Sequence, residues 1–456
     1  MKLLESKIFD GLNFCLFKIQ DKLDGIRQNS FILSNLDVLI LISIFATFFV
    51  STFAQTELIG IVSAFVPFFV VLKVLMTKGE KLELERCNFY LLIYLLICLI
   101  SNFTSSMLPQ SLYGFMKTLI YFAFYFAMCQ FLKNNKKFIL PILLMILFFV
   151  VFESCFAVFV QHFIGLEVNA SWQDMSYVNP EDILSRIYGT IQPYNPNLFA
   201  GYLIAGFPAV LGIFFLVLKK GKLKSSIISL AIVLITILAL LLSGCRGAYI
   251  ALFSTIIGIV IASYLIVFKD FNSEKLKLAW KSLFGLCSIG GVSFIMLNHS
   301  ILNRIMSIFI LRGDSSTSFR MNVYNSAIQM FQDNWACGIG VGNKVFREIY
   351  GLYMLTGFDA LSCYCVFLEM AVESGIFALL AYLLFLGSLL FAGFRCFINS
   401  KDYEYKVLLF VSFIAIVSVM VHGLVDTVYF RPQIQYIFWS MVAILTVLTR
   451  KDKVTE

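Results

Sequence analysis

Residues 139–160 read ILPILLMILFFVVFESCFAVFV, with Glu153 as their only charged side chain. An α-helix rises 1.5 Å per residue, so this stretch covers about 33 Å, the thickness of a bilayer's hydrocarbon core. It is apolar on every face, where a surface helix of a soluble domain would carry a polar stripe. The reading that follows is a membrane span, and the rest of the chain repeats it. Of 456 residues, 60% are hydrophobic and 14% charged, against roughly 45–50% and 25% in soluble domains. Further apolar blocks lie near 36–54, 58–76, 88–108, 112–132, 198–218, 227–244, 247–268, 282–301, 366–394, 407–425 and 435–449. The expected fold is an all-α polytopic membrane protein with about 12 transmembrane helices and a helical outer loop domain.

Charge gives an independent test of the alternation. With the N-terminus inside, segments 1–35, 73–87, 133–138, 219–226, 269–281, 395–406 and 450–456 are the inner ones. They hold 26 of the 35 lysines and arginines, as the positive-inside rule requires. Both termini are therefore expected in the cytoplasm, and the protein in the inner (plasma) membrane. The expected organisation is a cytoplasmic leader (1–35), an N-terminal bundle (36–160), an outer loop (161–197), a transmembrane core (198–301), a large outer loop (302–365) and C-terminal helices (366–456). In the leader, which does not read as a signal peptide, Ile8, Leu12, Leu16, Ile19 and Leu23 recur at helical spacing beside Lys18, Lys22 and Arg27. That describes either a helix on the inner membrane surface or a solvated leader.

The net charge of +8 belongs to the short inner loops and gives no reason to expect nucleic acid. The 11 cysteines lack CxxC or zinc-like spacing, so no metal site and no cofactor are expected; Cys337, Cys363 and Cys365 fall outside the spans, where a disulfide is an option. In the large loop, Ser318 is placed to cap a helix from Phe319 to about Asn334. Gly338-Ile339-Gly340-Val341-Gly342 follows that helix and no strand, so it reads as a turn and not as an ATP site.

Seven of the nine remaining basic residues are arginine: Arg186, Arg246, Arg304, Arg312, Arg320, Arg347 and Arg431. Lysine satisfies the orientation rule, whereas arginine's planar fork grips phosphate or carboxylate with two parallel hydrogen bonds. The arginines mark an outward site for an anion, or pair with acids such as Asp314, Asp333 and Asp426. Glu369 and Glu373 stand four apart on one face of the tenth span. A carboxylate there must face protein or water, as an acid/base or ion-binding pair or as a structural partner. Glu153 and Lys117 are two more charges within spans and candidate partners. His422, Asp426 and Arg431 gather near the end of the eleventh span, where a His oriented by an Asp would make a general base.

These pieces carry a resemblance. Asn195-Pro196-Asn197-Leu198-Phe199-Ala200-Gly201 resembles the Asn-centred segment that opens the second half of O-antigen ligase/polymerase-like proteins. Ser243-Gly244-Cys245-Arg246-Gly247-Ala248 resembles their Ser-Arg-Gly element. Arg320 with its helix, Gly338 to Asn343 and Phe346 resemble their large outer loop, and Leu368-Glu369 with Glu373-Ser374-Gly375 their Glu-x-Gly stretch. Within that superfamily the sequence is most similar to the inorganic-carbon (bicarbonate) transporter branch. The similarity lies in Ser315-Ser316, Phe319 to Val323, Ala360-Leu361-Ser362 with Tyr364, and His422 to Val428 with Arg431-Pro432.

The resemblance implies work on cell-envelope polysaccharide, with Arg246 and Arg320 on the pyrophosphate of a polyprenyl-linked glycan. Arg431, Arg186, Asn197, Glu369 and Glu373 join them as candidate substrate contacts, and His422 with Asp426 as the candidate catalytic pair. The ligases' catalytic His-Asn pair aligns with Tyr364 and Cys365, so whether the chain is a metal-independent transferase stays open. The other readings are transport of a small anion such as bicarbonate, or binding without catalysis.

Overall fold

The computed structural model describes residues 2–85, 87–166, 184–265, 274–308 and 315–450. Arg312 and Asp314, and residues 167–183 of the 161–197 loop, lie outside the described residues. Among those described there is no strand.

The helices follow one another closely. Helix α1 (Lys2–Gln28) leads through α2 (Phe31–Ser34) into α3 (Leu36–Phe53), α4 (Thr56–Ser63) and α5 (Phe65–Met76). Then come α6 (Asn88–Thr104), α7 (Leu108–Lys133) and α8 (Ile139–Cys155), which continues as a wider helical turn over Phe156–Phe163. The second half holds α9 (Pro196–Lys219), α10 (Leu223–Leu242), α11 (Arg246–Ser263), α12 (Glu274–Leu297) and α13 (His299–Met306). Helices α14 (Ser315–Asp333) and α15 (Asn343–Tyr350) build the loop domain, before α16 (Val366–Asn399), α17 (Tyr403–His422) and α18 (Pro432–Thr449).

Among the described residues, ten helical stretches are long and apolar enough to cross a membrane, with α4 and α5 acting as one span. The apolar stretches Asn88–Thr104 and Ser288–Leu297 are shorter. Each of the twelve expected blocks thus holds a helix among its described residues, but two fall short. Helix α6 ends where Ser105–Met107 turns toward α7, and α12 opens on a lysine-bearing segment. Hydrophobicity does not rank the helices by depth. Helix α18 is the least hydrophobic of the ten spans but 94% buried, while the more hydrophobic α4–α5 is 28% buried. A helix facing lipid needs apolar side chains all round, and a helix enclosed by others does not.

The lysine-rich segments meet at one end of the bundle. Gln130 and Lys133 both donate to the Lys81 carbonyl, Arg450 pairs with Glu83 and Glu85, and Lys219 with Glu404. Helix α1 docks there. Gln20 donates to the Val74 and Glu80 carbonyls at 2.7 and 2.9 Å, and Asn13 exchanges two hydrogen bonds with the Leu82 backbone. Its other face exposes Leu12, Phe14, Ile19 and Ile26.

At the opposite end, α14 begins at Ser315, earlier than expected, because the Ser315–Thr317 backbone is already helical and Ser318 falls inside the first turn. Val323 and Ala327 pack onto Val345, Phe346 and Tyr350. The following glycines have φ of 71°, 106° and 121° at Gly338, Gly340 and Gly342, so the expected turn is formed. It seals a break in α16. At Gly375, φ is 80° and the helix is interrupted. The Ile339 and Gly340 amides donate to the Val372 and Glu373 carbonyls at 3.0 and 2.9 Å, and Ser101 donates to Glu373 at 2.7 Å. Broken backbone at membrane depth needs such replacement partners. Cys337, Cys363 and Cys365 are all free thiols.

Candidate functional site

Four helices begin around one cavity. Gln110 of α7, Asn197 of α9, Asn343 of α15 and Pro432 of α18 all line it, and each lies within the first three residues of its helix. Pro at N1 favours such starts in α9 and α18, and the Asn195 side chain caps α9 by accepting from the Asn197 amide at 2.8 Å. Helix N-termini present unsatisfied N–H groups and the positive end of the macrodipole, so their convergence favours an anion.

The cavity holds about 450 Å³, within the range of small-molecule sites. Among the described residues, three cations line it: Lys117, Lys344 and Arg431. None is in a salt bridge with a described residue; Lys117 and Lys344 lie 4.5 and 5.9 Å from the centre of the Tyr113 ring. Three carboxylates also line it: Glu369, Glu373 and Asp426. Deepest along the helices, Tyr94, Phe122, Tyr382 and Trp439 close the space with mutual ring contacts.

Of the expected contacts, Asn197, Arg431, Glu369, Glu373 and Asp426 line this cavity, as does Tyr364. Arg186, Arg246, Arg320 and His422 do not. Arg186 donates to the Ser243 carbonyl at 2.8 Å and to Asn197 Oδ1 at 2.6 Å. Burial, and then the Arg304 charge, lower its pKa to about 10. Arg304 itself donates to the Gly244 carbonyl at 2.9 Å. These two arginines therefore hold the Ser243–Gly244 turn and, through Asn197, the start of α9. Arg320 stands just behind the wall. Its Nη1 donates to the Val425 carbonyl at 2.7 Å, its Nη2 lies 3.7 Å from Asp426 Oδ2, and its guanidinium sits 5.3 Å from the Tyr364 ring centre. Arg246 is half-buried as the first residue of α11.

The expected pairing of Asp426 with His422 is not the one formed. Asp426 Oδ1 accepts from the Thr427 and Val428 amides at 2.7 and 3.2 Å, and Oδ2 faces Arg320. His422 Nε2 lies 3.6 Å from Cys245 Sγ. The imidazole fills a gap that exists because α9 and α11 carry glycine there: a Cβ on Gly201 or Gly247 would come within 3.2 or 2.8 Å of it. Glu153 is likewise no partner of Lys117. Its carboxylate accepts from the Thr190 amide at 2.8 Å and from the Thr190 hydroxyl.

Ranking arginine over lysine left out Lys344, whereas Lys117 was expected as a charge within a span and a candidate partner of the acids there. The signal was nonetheless present: they are the two lysines among the nine basic residues outside the lysine-rich segments. Gln110 and Gln435 carried no pattern of their own.

The family model described as O-antigen ligase matches residues 230–383. That stretch runs from α10 through the loop domain into α16 and contributes Gly342, Lys344, Tyr364, Glu369 and Glu373 to the cavity. No curated protein matches the chain. The match supports an O-antigen ligase-like membrane protein and does not extend to the bicarbonate-transporter branch.

Proposed function

We propose, on the premise that residues 230–383 are O-antigen ligase-like, that this membrane protein serves cell-envelope polysaccharide assembly by binding a polyprenyl-pyrophosphate-linked glycan in the cavity. The cavity would face the non-cytoplasmic side of the plasma membrane, opposite the lysine-rich end. The observation that carries this reading is the meeting of Arg431, Lys117 and Lys344, all outside salt bridges with described residues, with four helix N-termini. Opposite charge within a few ångströms and oriented N–H groups both favour a multiply charged phosphate group. Arg431 supplies the planar fork and the lysines supply point charges. Arg320 and Arg186 act from behind the wall, by holding the loops that present Asn197, Asp426 and Arg431.

The small-anion reading has one observation in its favour: Lys117, Glu369 and Glu373 share the cavity. The aromatic residues that close its deep end favour a binding site over a conduit. Mass spectrometry of lipids retained by the purified protein tests the choice. We expect a polyprenyl-pyrophosphate-linked sugar in the wild type and its loss in Arg431→Ala. A wild type that retains no such lipid and takes up bicarbonate in proteoliposomes would overturn the proposal.

A further inference from the structure

Three side chains in the cavity are candidates to accept a proton, and Tyr364 is a fourth by alignment. Burial, then the Asp426 charge, push the Tyr364 phenol further above its ordinary range, so it does not serve as a base near neutrality. Asp426 already receives two amides and faces Arg320. Glu373 stands at the break in α16, where Gly340 and Ser101 hold its own carbonyl and the Gly342 amide, from the glycine turn, faces its carboxylate. Glu369 is placed differently. It lies in the first turn of α16 and is 4% exposed. Its Oε2 accepts from the Cys363 amide at 3.0 Å, in the short loop that also carries Ser362 and Tyr364 into the cavity. Oε1 has no hydrogen-bond partner among the described residues. One oxygen is thus fixed by the backbone, while the side chain lines the cavity that holds Arg431. A general base needs this combination of an oriented carboxylate and an unoccupied oxygen within reach of substrate.

We propose that Glu369 is the general base of a glycan transfer carried out in this cavity, its orientation set by the Cys363 amide. The inference rests on the proposed function, since it needs the lipid-linked donor to bind there. The acceptor is a sugar hydroxyl of a second glycan. Its oxygen forms a bond to the anomeric carbon of the donor sugar. The bond from that carbon to the pyrophosphate oxygen breaks, and the electron pair leaves with the pyrophosphate, whose charge Arg431 and the two lysines balance. The hydroxyl proton passes to Glu369 Oε1 and from there to water. Glu373, one helical turn on, keeps the approach polar without taking the proton.

The test uses the full chain in nanodiscs, a fluorescent polyprenyl-pyrophosphate-linked oligosaccharide as donor, and a glycan acceptor. Glu369→Gln preserves shape and can still accept from Cys363. It should lower transfer at least about 100-fold, the lower bound for removing a general base, with donor binding within about threefold of wild type. Glu373→Gln should lower transfer less than tenfold. Glu369→Ala should regain transfer in added formate, a rescue that a purely structural role would not show. Transfer by Glu369→Gln within threefold of wild type, an equal loss in Glu373→Gln, or a wild type that binds donor without transferring it would each overturn the assignment. A wild type that does not bind donor would overturn the proposed function itself.

Discussion

Arg320 and Asp426 face each other at 3.7 Å, and Arg320 also donates to the carbonyl of Val425, the residue before its partner. One guanidinium thus holds two successive residues of the loop that runs on to Arg431. Asp426 in turn caps its own turn through the Thr427 and Val428 amides.

This arrangement predicts that Arg320→Lys will not be conservative. The ammonium keeps the charge but cannot reach the carbonyl and the carboxylate with one rigid fork. We expect donor affinity to fall about tenfold, equivalent to roughly 1.4 kcal/mol, and the effect of Asp426→Asn to be strongly non-additive with it, as for groups in one network. Donor titrations of the two single variants and the double variant give the measurement. Full affinity in Arg320→Lys, or simple additivity, would show that the pair does not position the loop.

Tyr364→Phe should retain transfer within about threefold of wild type. The phenol's pKa is raised, so it stays protonated through the neutral range, and the ring that faces the Arg320 guanidinium survives the substitution. The sign of its stability effect also follows. A tyrosine with a raised folded pKa is deprotonated first in the unfolded chain, so stability falls only as pH climbs past about 10. Melting curves from pH 7 to 11 should show a shallower alkaline decline in Tyr364→Phe. A loss of transfer at pH 7 would instead assign the phenol a direct role.

The helices were legible because lipid imposes a one-dimensional rule: about 20 apolar residues per crossing, with lysine marking one side. Glu369, Glu373, Asn197 and Arg431 were legible because polar groups in or beside apolar blocks need a reason. The roles of Arg186 and His422 were not. Whether an arginine lines a cavity or holds a turn depends on which carbonyls the fold brings to it, and Ser243 lies 57 residues from Arg186. The Asp426–His422 spacing suggested a pair, and the Asp426 amide does reach the His422 carbonyl at 3.1 Å, but the Asp426 carboxylate turns away to the Thr427 and Val428 amides and to Arg320.

The topology carries its own test. If the lysine-rich end is cytoplasmic, the loop domain and the cavity mouth lie on the other side. In a cysteine-free background, a Cys at the exposed Leu352 should react with an impermeant maleimide added from outside, and a Cys at Lys401 only after permeabilisation. The reverse pattern would invert the assignment and leave the cavity facing the cytoplasm, where the proposed function has no acceptor.

The sharpest structural prediction concerns Gly375. The break in α16 places Glu373 at the cavity and lets the Ile339 and Gly340 amides reach the freed carbonyls. It depends on two glycines. A Cβ on Gly375 would stand 2.2 Å from the Ala336 carbonyl oxygen at a φ of 80°, and one on Gly338 would stand 2.4 Å from the Glu373 carbonyl at a φ of 71°. Both obstacles are backbone atoms, which no rotamer change relieves. Gly387, on the same helix, has nothing within 4 Å of its would-be Cβ. Gly375→Ala and Gly338→Ala should therefore each cost at least about 2 kcal/mol, from the unfavourable backbone conformation plus the clash. Gly387→Ala should be neutral or slightly stabilising, since alanine is the better helix former. Thermal unfolding of the three variants in nanodiscs measures this. Equal melting temperatures for Gly375→Ala and Gly387→Ala would mean that α16 can run unbroken, and the carboxylate geometry built on its interruption would then have to be abandoned.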